Sequence, residues 1–576
     1  MKLILKHLKH YKLLVFFNII SVFGFALVEL GIPTVMANII DVGIANRDVG
    51  YIQAMGLVIL VISVIGTCGT VALGYCSSKI SANMTRDLRN DIFIKTQDFS
   101  HAEYNKFGVS SLITRTTNDV FQLQQFLNVL LRTALLTPVM FIISIVMVVR
   151  TSVQLSLVLA CTLPVIVAGV IIVAKISEPM SEKQQSGLDK MNRISRENLT
   201  GIRVIRAFRN DSHEAERFAE TNEAYAAVSK RLFKLMSSTQ PVFFLLLNVA
   251  ILIIFWFSSQ KINLGEMQVG QLVAFMEYMF HAMFSLMLFS IVFIMYPRAA
   301  VSAHRISEVL AEEPAIRAPK NGVTETKEHG SVAFENVSFS YPDGEEAVLK
   351  NISFTAKAGE TVAFIGSTGS GKSTLVNLIP RFYDVTAGAI KIDGVDIREY
   401  DLDALRAKIG FIPQKALLFT GSIASNIRFG KDDASENELI YSAEVSQALE
   451  FISRKPKQFE EPIAEGGANV SGGQKQRLSI ARAVVRKPEI YVFDDSFSAL
   501  DFKTDAALRA RLKQETKDAA VLVVAQRISS ILEADQIIVL NEGEVVGHGT
   551  HKELLKNCPI YYEIAASQLT KEELEI

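Results

Sequence analysis

The sequence predicts an α-helical membrane domain of six spanning helices, followed by an α/β domain organised around a phosphate-binding loop. Three observations predict it. The chain of 576 residues is 49% hydrophobic yet 21% charged, with a mean hydropathy of +0.27, as when a membrane part is joined to a soluble part. Six apolar stretches fill the first half, at about 13–35, 54–76, 127–149, 153–175, 242–259 and 270–296, each near or above the roughly 20 residues a spanning helix needs. In the second half, "GSTGSGKST" at 366–374 follows a short apolar run. The length exceeds one ordinary domain, and the pattern divides into a membrane domain at 1–310, a linker at 311–330 and an α/β domain at 331–576. A net charge of −1 leaves no basic footprint, so no nucleic-acid partner is expected. Cys68, Cys76, Cys161 and Cys558 have neither metal-ligand spacing nor a disulfide framework. The basic start "MKLILKHLKHYK" leads into a run long enough to span, without a cleavage site, so no removable signal peptide is expected.

Within the membrane domain, Pro33, Pro138 and Pro164 lie in or near the apolar stretches, where neighbouring helices and water satisfy the freed backbone groups. Positive charge sets the orientation. Lys2, Lys6, Lys9 and Lys12 precede the first span, Arg86, Arg89 and Lys95 follow the second, and Arg193, Arg196, Arg203, Arg206 and Arg209 follow the fourth. The N-terminus, both long connections and the α/β domain are therefore expected on the cytosolic side of a plasma membrane. "RENLTGIRVIRAFRNDSHEAERFAE" carries Ile202, Ile205 and Phe208 at helical spacing, which predicts spanning helices that extend well past the bilayer and turn back. Glu29 in the first span, and Glu277 one helical turn from His281 in the sixth, are ionisable groups at membrane depth and candidates for a substrate pathway. "FMEYMFHAMFSLMLFSIVFIM" suits adaptable hydrophobic contacts, although such a stripe more often serves plain helix packing.

The stretch 311–330 is charged, holds two prolines and lacks periodicity, as a linker does. Short β runs then alternate with helical ones to about 565, predicting a largely parallel sheet. "GSTGSGKST" fits G-x-x-x-x-G-K-[ST] at Gly366, Gly371, Lys372 and Ser373, with Ser367, Thr368, Gly369, Ser370 and Thr374 completing the loop. Glycines let backbone N–H groups converge on phosphate oxygens, the lysine reaches the terminal phosphates, and the serine ligates Mg²⁺. This makes the domain an α/β P-loop nucleotide-binding domain with ATP and Mg²⁺ as its expected ligands. "IYVFDD" at 490–495 is an apolar strand ending in two carboxylates. Such a strand can lie beside the phosphate-loop strand and bring Asp494 to the Mg²⁺, with Asp495 where a general base is wanted.

"NVSGGQKQR" at 469–477 completes a resemblance to half-transporters of the type-I ATP-binding cassette (ABC) exporters, in which six spans, a linker and one cassette follow in this order. The resemblance implies that Ser471, Gly472, Gly473 and Gln474 form the signature that contacts ATP held by a second cassette. It also implies that Tyr341 stacks on adenine, that Gln414 senses Mg²⁺, that Glu465 is an acidic coupling position, and that "SALD" at 498–501 is a cassette–cassette loop. The tips at 104–107 and 208–211 resemble coupling helices.

Two positions depart from the family pattern. The catalytic glutamate is Asp495 here and the switch histidine is Gln526, while the signature differs only by Val470 for leucine. An aspartate is one methylene shorter, and a glutamine cannot carry a proton as imidazole does. Both changes fall in one composite site. The chain thus resembles the degenerate-site subunit of bacterial heterodimeric multidrug exporters, whose second ABC half-transporter supplies the glutamate and the histidine. That resemblance implies ATP-driven export of amphipathic or hydrophobic compounds through the lipid bilayer. The alternatives are lipid or peptide export on the same scaffold, and a regulatory or channel-type ABC protein.

Overall fold

The computed structural model describes residues 2–342, 344, 346–570 and 574. The chain divides into two compact units. One comprises Met1–Gln97 and Ser110–Glu312, the other Asp98–Val109 and Glu313–Ile576.

The first unit holds six helices long and apolar enough to span: Ile4–Ile44, Val49–Gln97, Val109–Thr151, Val153–Ala207, Asp211–Asn263 and Val269–Ala311. The second helix has 49 residues, about 73 Å at 1.5 Å per residue, so more than half of it extends beyond a bilayer core of about 30 Å. Small residues let the first two helices approach closely. A Cβ on Gly66 would lie 1.5 Å from Val28 Cγ2, and one on Gly69 would lie 3.1 Å from the Gly24 Cα. The sixth helix is deeply packed, with Phe275, Met279, Ala282 and Met283 fully buried. Polar contacts tie it to other helices. Tyr278 Oη lies 2.6 Å from Thr34 Oγ1, Asp41 accepts from the Gly270 N–H at 2.6 Å, and Asp119 accepts from Ser302 at 2.9 Å and pairs with Arg305 at 3.3 Å.

The two loop tips differ. The first forms a helix of its own, His101–Phe107, capped by Ser100 and Glu103. The second does not. Helices Val153–Ala207 and Asp211–Asn263 are joined by Phe208, Arg209 and Asn210 alone, with Arg209 left-handed at φ 51°. Three residues close a reverse turn and leave no room for a further helical turn, so the coupling helix implied at 208–211 is a turn.

In the second unit a six-stranded sheet runs in the order Glu544–Gly549, Gln536–Asn541, Thr361–Gly366, Ala520–Val524, Ile490–Asp494, Ile409–Ile412. All pairs are parallel except the first. An antiparallel sheet of Val332–Phe339, Leu349–Ala356, Ala387–Ile392 and Val395–Asp396 accompanies it. Every residue of Ile490–Asp494 and Ala520–Val524 is buried, which explains their unbroken apolar runs. The aspartate strand is not the neighbour of the phosphate-loop strand. Ala520–Val524 lies between them and pairs with both. The phosphate loop arches over the end of that intervening strand, which is how Ser373 reaches Asp494. The linker follows the domain surface, where Val323 N–H donates to Glu399 and Asp401 N–H donates to Val323.

Candidate functional site

The phosphate loop leaves the strand Thr361–Gly366 and enters the helix Lys372–Leu378. Two positions admit only glycine. A Cβ on Gly366 would lie 2.0 Å from the Leu540 carbonyl oxygen, and Gly371 is left-handed at φ 94° with Leu349 Cδ2 2.7 Å from where its Cβ would be. Lys372 is buried. Its Nζ donates to the Gly366 oxygen at 2.9 Å, the Ser367 oxygen at 2.7 Å and Ser370 Oγ at 3.3 Å. Burial pushes its pKa down, opposed by the charges of Asp495 and Asp494. A concave loop closed over an ammonium suits a polyphosphate anion.

Ser373 Oγ donates to Asp494 Oδ1 at 2.8 Å. A hydroxyl and a buried carboxylate held together are the hard oxygen ligands that Mg²⁺ takes, so these residues fit that ion. Burial raises the pKa of Asp494, with Ser373 and Lys372 opposing and Asp495 adding to the rise. Asp495 begins the turn after the strand in a left-handed conformation, φ 46°, with its N–H donating to the Val524 oxygen. Its side-chain Oδ2 receives two amides, Gln414 Nε2 at 3.0 Å and Gln526 Nε2 at 2.8 Å. Burial raises its pKa as well, opposed by hydrogen bonds from Gln414 and Ser498 and by Lys372 and Arg527.

The structure thus brings Lys372, Ser373, Asp494, Asp495, Gln414 and Gln526 together. Tyr341 lies beside the loop, its hydroxyl 3.0 Å from Thr374 Oγ1. Ser367, Thr368 and Gly369 form the exposed rim of the loop and Ser370 its buried floor. The signature serine, Ser471, caps a different helix, Gly472–Val484, and is exposed. Among the described residues no hydrogen bond joins Ser471, Gly472, Gly473 or Gln474 to the phosphate loop. In the membrane unit His281 pairs with Glu29, Nε2 to Oε2 3.4 Å, rather than with Glu277 on its own helix.

Sequence reasoning missed Tyr383, whose ring meets Tyr341 edge-on at 5.2 Å and lies 5.8 Å from the ring of His101 in the tip helix. No spacing rule links these three. It also missed the trio His329, Asp393 and Glu489, whose ligand atoms cluster. Lys408 Nζ occupies that cluster, 2.8 Å from Asp393 and 2.7 Å from Glu489, making it a closed ion-pair network.

A family profile described as the ABC transporter transmembrane region matches residues 15–287, and one described as ABC transporter matches 349–498. The chain is 39% identical over 576 residues to an uncharacterized ABC transporter ATP-binding protein of Mycobacterium tuberculosis, covering 98% of each. This chain belongs to the ABC transporter family. The transporter is also 30% identical over 528 residues to the ATP-dependent lipid A-core flippase of Vibrio parahaemolyticus, covering 91% of this chain and 90% of that one. Its fold matches a solved bacterial Atm1-family ABC exporter with ATP bound, with a TM-score of 0.78 at 23% identity over 98% of each chain. It is an ABC transporter chain with six apolar helices and an α/β cassette, on the fold of an ABC exporter. The family implies ATP binding and ATPase-coupled transport by a multi-pass membrane protein.

Proposed function

We propose that this half-transporter works in a heterodimer that exports amphipathic or hydrophobic compounds, with its own ATP site blunted and its signature completing the active site of the other half. The observation that carries the reading is the double amide contact on Asp495. A general base must offer a free carboxylate oxygen to the water it activates. Here Gln414 and Gln526 both donate to Oδ2 and so fix the orientation of the carboxylate, leaving only Oδ1 to meet a water, and the group is one methylene shorter than the family's glutamate. Lys372, Ser373, Asp494 and Gln414 would hold Mg²⁺–ATP, the ion supplying charge neutralisation at the phosphates. Tyr341 would stack on the adenine. Ser471 and the N–H groups of Gly472 and Gly473, at an exposed helix start, are free to face a second cassette. Both departures lie in one composite site and the signature in the other, an asymmetry that serves a heterodimer and would slow both sites of a homodimer. The basic connections favour a cytosolic N-terminus and cassette, in a plasma membrane.

The test is purification of the tagged chain from its native host. A second half-transporter carrying glutamate and histidine at the matching positions should accompany it. The ATPase of that complex should exceed that of the chain expressed alone by about 100-fold, the scale of a 1 Å misplacement of a catalytic group. A chain that alone hydrolyses ATP as fast as the complex refutes the reading. Lipid export on the same scaffold is the second reading, favoured by the 30% identity to a lipid A-core flippase.

A further inference from the structure

The switch position is held from behind by a residue outside every nucleotide motif. Gln526 follows the strand Ala520–Val524, and Ile528 opens a short 3-10 turn, Ile528–Ser530. The first N–H of such a turn has no partner within it. Ile528 is fully buried, and an unmet donor is costly there. Gln568 meets it. The Ile528 N–H donates to Gln568 Oε1 at 2.8 Å, and Gln568 Nε2 donates to the Gln526 carbonyl oxygen at 2.9 Å. One amide thus pairs with two main-chain groups two residues apart, as one residue of a parallel strand would. Among the described residues no other hydrogen bond reaches either group. The clamp stands on a fixed base. Gln568 lies just past the helix Pro559–Ala566, with its own N–H donating to the Ala565 oxygen at 3.0 Å. Tyr561 and Ala565 of that helix are buried in the same apolar core as Ile528 and Ile531, and Tyr561 Oη lies 2.6 Å from His551 Nδ1. On the other side, the Gln526 side chain donates to Asp495 Oδ2 at 2.8 Å.

We infer that Gln568 is a positioning residue for ATP hydrolysis: it fixes the main chain of the switch segment and, through it, the side chain that meets Asp495. Its contacts are to main-chain atoms, so they serve whichever side chain stands at 526. With glutamine there, the clamp keeps the amide on the carboxylate and so keeps the site slow. With histidine there, the same clamp would hold the imidazole in place for its work. The sign of the effect rests on the blunted-site reading above, whereas the clamp itself does not.

Gln568 is exposed, and Gln568→Met keeps its length while removing both polar contacts. The test is made on the purified full complex, in two parts. Hydrogen exchange of the Ile528 amide, without nucleotide, should be about tenfold faster in Gln568→Met than in wild type, the scale of losing a hydrogen bond. ATP turnover is then measured with the other site silenced by Ser471→Ala and with Asp495→Glu in place. With Gln526 retained, Gln568→Met should raise kcat about threefold, by releasing the amide from the carboxylate. With Gln526→His, the same substitution should lower kcat about tenfold, by loosening the imidazole. KM should stay within about twofold in both, because the phosphate loop is untouched. General damage to the domain would lower kcat in both backgrounds. Unchanged exchange at Ile528 overturns the inference, as does a kcat that moves in the same direction, or not at all, in the two backgrounds. If Gln526→His itself brings no gain in turnover, the blunted-site reading fails instead, and exchange at Ile528 alone decides the clamp.

Discussion

Asp495 and Gln526 act as a pair because the amide of one donates to the carboxylate of the other at 2.8 Å. Lengthening Asp495 alone would leave a glutamate still held by Gln526, and replacing Gln526 alone would leave the carboxylate short. Asp495→Glu with Gln526→His should therefore raise turnover at this site by about 100-fold, and Asp495→Glu alone far less. The measurement is the ATPase of complexes whose other site is silenced by Ser471→Ala. Equal gains from the single and double variants would show that the amide does not hold the carboxylate. The motif residues themselves are legible in the sequence, because backbone geometry demands Gly366, Gly371 and Lys372 at fixed spacing. The contact of Gln414 with Asp495 is not, since 81 residues separate them in the chain and only the parallel pairing of Ile409–Ile412 with Ile490–Asp494 brings them together.

The tip helix His101–Phe107 shows the same limit at the scale of elements. A basic, amphipathic loop suggests its existence but not its seat. The ring of His101 lies 4.7 Å from that of Phe382, and Glu103 accepts from the Ala315 N–H at 3.1 Å, so the tip is fixed to the cassette and to the start of the linker. Burial, with the Arg406 guanidinium adding, pushes the His101 pKa below its ordinary 6.5. Above that value both docked and undocked states are neutral and the tip is at full stability. Below it the undocked imidazole takes a proton first, so docking weakens as the pH falls toward the docked value. Hydrogen exchange across 101–107, corrected for intrinsic rates, should be faster at about pH 5.5 than at about pH 7.5, and His101→Gln should remove the difference. An unchanged pH response in that variant would assign it to another group. Strand order is likewise hidden. Apolar runs identify Ile490–Asp494 and Ala520–Val524 as buried strands, but nothing local states that the second lies between the first and Thr361–Gly366.

Over the whole molecule, hydropathy is sufficient for the six spans, because the bilayer imposes length and apolarity directly, while their reach past the bilayer is read from helical periodicity instead. It does not tell which helix His281 faces, since Glu277 at one turn and Glu29 across the bundle are equally compatible with the sequence; packing of the first helix on the sixth selects Glu29. The heterodimer account makes its sharpest claim about the assembly: one chain holds a blunted site and lends its signature to a working one. Steady-state ATPase of the co-expressed complex, with Ser471→Ala compared against Asp495→Asn, tests this most directly. Ser471→Ala should reduce turnover by about 100-fold, in the range found when a group that stabilises transferring phosphoryl charge is removed, while Asp495→Asn should leave at least about half of it, because the residue is displaced from its work. Complete loss of turnover in Asp495→Asn, or full turnover in Ser471→Ala, would contradict the account.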